Sequence, residues 1–110
     1  MITIILLFSI AAGFGVVLLI PILQDKSPSR PFVFIHGGIA ATALVMLLLQ
    51  FFKENASVPS LSVVLFVIAA IGGLVLFARD MQNKSLPKGL ALIHAGAAVI
   101  ALLILLFSAM

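Results

Sequence analysis

The chain contains two histidines and no cysteine. The histidines stand at matching places in two related segments, Phe34-Ile35-His36-Gly37-Gly38 and Leu92-Ile93-His94-Ala95-Gly96. Each lies a few residues inside a long apolar run, just past a short basic loop. An ionisable side chain inside such a run is costly unless it pairs or faces a cavity, so an imidazole there is a candidate for metal ligation, proton transfer or a structural hydrogen bond. The absence of cysteine removes Cys-ligated zinc, iron–sulfur clusters and covalently attached c-type haem. Zinc held by histidine needs about three or four protein ligands. The three carboxylates, Asp25, Glu54 and Asp80, read as loop residues and supply no third ligand. Haem iron takes only two axial ligands, and a pair of imidazoles from facing helices is a natural use of a bundle core.

The elements that must carry these groups are membrane helices. Of the 110 residues 65% are hydrophobic, against six basic and three acidic side chains, and the mean hydropathy is +1.44. Four apolar runs each approach the roughly 20 residues needed to cross a bilayer. The first spans Ile2 to Leu23; with no basic residue before its core it reads as a retained span, with Pro21 near its end. The second runs from Phe32 to Phe52, with Pro31 in its first turn, the third from Ser60, as N-cap, to Ala78, and the fourth from Gly89 to the C-terminus. A pI near 10.0 would point to nucleic acid in a soluble protein. Here the basic residues lie in loops between apolar runs, so the charge reports topology and no nucleic-acid partner is expected. Loops 24–31 and 79–88 hold Lys26, Arg30, Arg79, Lys84 and Lys88. Lys53 in the second loop is balanced by Glu54. The positive-inside rule therefore places loops one and three in the cytoplasm and both termini outside.

Sliding the sequence by 58 residues aligns residues 1–52 with 59–110 without a gap. Gln24, Lys26 and Ser27 fall on Gln82, Lys84 and Ser85, and His36 falls on His94. Each half is a two-helix hairpin in the same orientation, so the halves form a parallel repeat about an axis along the membrane normal. In the second helix of each half the matches are His36/His94, Ala40/Ala98, Ala43/Ala101, Leu44/Leu102, Leu47/Leu105 and Leu48/Leu106, one face of a 3.6-residue helix, with Gly38/Gly96 off that face. A face kept alike in both copies is expected to turn towards the shared axis. The first helices agree at Leu7/Leu65, Phe8/Phe66, Ala11/Ala69, Ala12/Ala70, Gly15/Gly73 and Leu18/Leu76. Their small residues read first as close helix packing.

The expected architecture is one all-α, polytopic membrane domain over residues 1–110: a bundle of four transmembrane helices made from two parallel-repeat hairpins. With the second and fourth helices diagonal, their axes would lie ~13 Å apart, leaving about 6 to 7 Å for each imidazole to reach a central iron. The leading functional reading is a non-covalent b-type haem with His36 and His94 as iron ligands. Gly15 and Gly73 would give room to the ring edge at histidine depth, and Gly38 and Gly96 belong to the same neighbourhood. Arg30 and Lys88, with the other loop bases, would be charge partners for the propionates. Both axial positions would then be filled, which favours electron transfer with a quinone or a membrane partner over oxygen chemistry. The layout is similar to that of small four-helix membrane b-type cytochromes. A transporter or channel subunit using the histidines as a proton relay is the second reading. Four short spans resemble small multidrug transporters, although the carboxylate those carry in the first helix is missing here. A structural or assembly protein with hydrogen-bonding histidines is the third, and assembly as a homo-oligomer fits any of them. No nucleophile–base pair, phosphate loop or paired carboxylates appear, which argues against a hydrolase or a kinase.

Overall fold

The computed structural model describes residues 1–53 and 57–110, so Glu54 in the second loop lies outside the described residues. The secondary structure is all-helical: α1 (Ile2–Leu23), α2 (Arg30–Phe51), α3 (Ser60–Met81) and α4 (Lys88–Ser108). Each helix is long and apolar enough to cross a membrane. An apolar chain of this length forms helices because only internal hydrogen bonds can satisfy its backbone once water is excluded. A 22-residue helix such as α1 is about 33 Å long at a rise of ~1.5 Å per residue. The outward faces stay apolar, with Ile2, Val16, Leu49, Leu74 and Phe107 among the exposed side chains.

Helix starts and stops are set by prolines and by two short polar residues. Pro31 occupies the first turn of α2, where its missing N–H costs nothing. Ser60 is the first residue of α3 and Pro59 takes the N-cap position, so the cap expected of Ser60 is not formed. α1 and α3 end alike. Lys26 N–H donates to Pro21 O at 2.8 Å and Asp25 N–H to Ile22 O at 3.2 Å; Lys84 N–H donates to Arg79 O at 2.9 Å and Asn83 N–H to Asp80 O at 3.1 Å. This C-terminal motif needs a left-handed residue, and Asp25 (φ 60°) and Asn83 (φ 57°) supply it. α3 therefore runs through Arg79, Asp80 and Met81, three residues beyond the Ala78 expected from hydropathy.

α1 packs on α2 and α4, and α3 packs on α4 and α2. No Cα of α1 comes within 8 Å of α3, nor any of α2 of α4, so these are the two diagonals. The core is built largely from positions 58 residues apart. Phe8 and Phe66, Ala11 and Ala69, Ala43 and Ala101, and Leu47 and Leu105 are all buried. Phe8 and Phe66, from diagonal helices, stack across the axis with ring centroids 3.9 Å apart and planes within 9°. The matched stripe thus faces inward, as its period required.

Candidate functional site

The two imidazoles occupy equivalent positions. His36 donates from Nδ1 to the Ala11 carbonyl at 2.8 Å, and His94 donates from Nδ1 to the Ala69 carbonyl at 2.6 Å. A carbonyl oxygen can only accept, so Nδ1 carries the hydrogen and, in the neutral ring, Nε2 is left with a free lone pair. Among the described residues neither Nε2 has a hydrogen-bond partner, and neither belongs with the sealed unpaired atoms, of which Asp80 Oδ2 is the sole example. The rings meet across the α2–α4 diagonal with centroids 6.1 Å apart and planes 85° from each other.

Each ring lies against a glycine of its own hairpin. A Cβ added at Gly15 would stand 3.2 Å from His36 Cε1, and one at Gly73 only 2.9 Å from His94 Cε1. Gly72 also borders His94, 3.5 Å from its Cβ. The room these glycines leave is taken by imidazole, so their contribution is to seat the histidines. Gly38 and Gly96 are exposed and have nothing within 4 Å of an added Cβ, which puts them away from the rings. One turn further from loops one and three, the Phe8–Phe66 stack closes the axis beyond the imidazoles.

At the loop end, Arg30 and Lys88 are engaged across the two hairpins. Arg30 Nη2 donates to Asp80 O at 3.0 Å and to Asn83 Oδ1 at 3.1 Å, with Nε 3.8 Å from Asp80 Oδ2. Lys88 Nζ pairs with Asp25, 3.1 Å from Oδ1. Arg79 Nε donates to Ser85 O at 2.9 Å and so stabilises its own loop. Among the described residues Lys26 and Lys84 have no carboxylate partner.

Asp80 is the polar residue that reading by hydropathy misplaced. It sits in the last turn of α3, 9% exposed, with Oδ2 buried and without a hydrogen-bond partner. The repeat held the signal: α1 ends at Leu23, and adding 58 gives Met81.

No group of three His, Cys, Asp or Glu side chains comes together among the described residues, so zinc-type coordination has no donor set here. A haem brings four nitrogen donors of its own and asks the chain for two. A linear bis-imidazole metal with bonds of about 2.0 Å needs ring centroids roughly 6 Å apart. The 6.1 Å separation of the rings matches that spacing. No protein-family model, curated protein or solved structure matches the chain.

Proposed function

We propose that this is an integral membrane protein of four spans whose two histidines are the axial ligands of a b-type haem, serving electron transfer. The observation that carries the reading is the pair of Nε2 lone pairs, presented by equivalent helices with their rings 6.1 Å apart. In the proposed topology loops one and three face the cytoplasm and both termini lie outside, as the distribution of Lys and Arg favours.

The chain's own residues would hold and tune the ligands. The Ala11 and Ala69 carbonyls fix each ring's tautomer and orientation, the usual service of a backbone acceptor behind a metal-bound histidine. Gly15 and Gly73 let the rings lie close to α1 and α3. Phe8 and Phe66 stack across the axis on the far side. Held by His36 and His94, the group would supply reversible one-electron chemistry. The electron would pass to or from a membrane quinone or a partner protein. Among the described residues Arg30 and Lys88 have carboxylate partners, whereas Lys26 and Lys84 have none.

The test is an absorption spectrum of protein expressed with haem supplied and purified in mild detergent. A Soret band with a sharp α-band on reduction, lost or altered in both His36→Ala and His94→Ala, is the expected result. A colourless preparation, or a spectrum unchanged in either variant, overturns the assignment. A second reading rests on the same two hydrogen bonds. Each histidine fastens the two helices of its hairpin by donating to a carbonyl, which is what an interhelical clamp in a structural membrane protein would do. A colourless protein destabilised by either substitution supports it.

A further inference from the structure

The planes of the two imidazoles stand 85° apart, and the contacts around each ring explain why it cannot turn freely. Nδ1 of His36 donates to the Ala11 carbonyl and Nδ1 of His94 to the Ala69 carbonyl, so each ring is tied to the first helix of its own hairpin. One helical turn further along that helix, Gly15 and Gly73 let Cε1 of the same ring approach the backbone. An added Cβ would stand 3.2 Å from His36 Cε1 and 2.9 Å from His94 Cε1. Turning either ring about its Cβ–Cγ bond stretches the hydrogen bond or drives Cε1 towards the helix. The rotation of each ring is therefore set by the helix it leans on, α1 for His36 and α3 for His94.

Neither contact uses Nε2, so both can persist when that nitrogen binds a metal. With collinear bonds from the two Nε2 atoms to an iron, the angle between the ring planes is the angle at which the axial ligands cross. That angle matters electronically. Each imidazole donates π density, from the orbital perpendicular to its plane, into one of two iron d orbitals of π symmetry. Parallel rings act on the same d orbital and split the pair. Crossed rings act on one each and leave the pair nearly equal in energy, so the unpaired electron of the ferric state keeps much of its orbital angular momentum. We propose that Gly15 and Gly73, with the Ala11 and Ala69 carbonyls, are positioning residues that hold the two axial imidazoles crossed, giving the oxidised centre a strongly anisotropic low-spin signal. The inference rests on the haem reading and adds to it the relative rotation of the ligands, which two histidines at one depth do not specify. Because 85° is close to a right angle, the largest crossing two planes can have, a substantial turn of either ring lowers it.

The test is electron paramagnetic resonance at liquid-helium temperature on the oxidised, haem-supplied protein in detergent, with its optical spectrum alongside. A bis-imidazole iron porphyrin with parallel ligand planes serves as the reference. The expected result is a single low-field feature displaced well beyond the largest g value of that reference. Gly73→Ala should move the feature towards the reference, and Gly15→Ala should move it less. Gly38→Ala, whose methyl meets nothing within 4 Å, should leave it in place. All three variants should keep the Soret and α-bands. A methyl that merely loosened the bundle would lower stability without moving the signal. A rhombic three-line signal at the reference position in the unaltered protein overturns the proposal and leaves the haem reading standing. A signal unmoved by Gly73→Ala, in a variant that keeps its optical bands, overturns the positioning role. Should Gly73→Ala fail to fold, the unaltered protein still decides between crossed and parallel planes, and Gly15→Ala tests the positioning. A colourless protein overturns the haem reading and this proposal with it, so the two failures are told apart by colour.

Discussion

The two hairpins agree at the middle of the bundle and differ at its ends. At histidine level the same donors reach the same carbonyls, and Gly15 and Gly73 lie against the rings alike, with Gly72 an added glycine where the first hairpin has Phe14. Towards the second-loop end, α1 places Ile4 where α3 places Ser62, whose Oγ donates to Ala101 O at 2.8 Å in a fully buried position. At the other end, Ile22 of α1 answers to Asp80 of α3, and the bridge Lys88–Asp25 answers to Arg30–Asn83. Equivalence is therefore kept at the axis between the imidazoles. It is relaxed where each hairpin meets a different neighbour.

That contrast can be broken experimentally. The largest effect is expected at the shared level. His36→Ala and His94→Ala should each cost about 2 kcal/mol, from a lost interhelical bond and the void left behind, read by denaturant unfolding in detergent. Costs that differ severalfold would show that the two rings are not equivalent. Next come the glycines. A methyl at Gly73 would press on the His94 ring at 2.9 Å and one at Gly15 on His36 at 3.2 Å, whereas Gly38 has open space. Gly73→Ala should thus cost roughly 1–3 kcal/mol by overpacking, Gly15→Ala less, and Gly38→Ala nothing; the reverse order would mean the rings are not seated as described. Ser62→Ala removes a hydrogen bond that only the second hairpin has, and should lower stability by about 0.6–1 kcal/mol. An unchanged midpoint would make Ser62 and Ile4 interchangeable after all. The smallest effect belongs to Asp25→Asn. It breaks the Lys88 pair at an exposed site and should move stability by less than about 0.5 kcal/mol, still less at high salt.

Much of this was legible in the residues. Four apolar runs and a gapless offset of 58 residues gave the helices, the hairpins and the inward stripe, because hydropathy and period report burial directly. The diagonal placement of α2 and α4 also agrees with the expectation drawn from the histidines. What escaped were matters decided by tertiary contacts. Hydropathy falls at Arg79 and Asp80, so α3 read as ending at Ala78, yet the left-handed Asn83 closes the helix three residues later and Asp80 is buried against Arg30. Arg30 and Lys88 looked free because their partners, Asn83 and Asp25, lie across the other hairpin, more than fifty residues away in the chain. The space at Gly15 and Gly73 was visible as glycine; that imidazole fills it depends on ring orientation, which no spacing reveals.

The face-to-face contact of Phe8 with Phe66 joins two copies of one residue from equivalent places. A contact of that kind is isologous: the surface is its own complement. A single hairpin, expressed by itself, thus carries half of a self-matching seam, and two identical hairpins could close on each other as the two unequal ones do here.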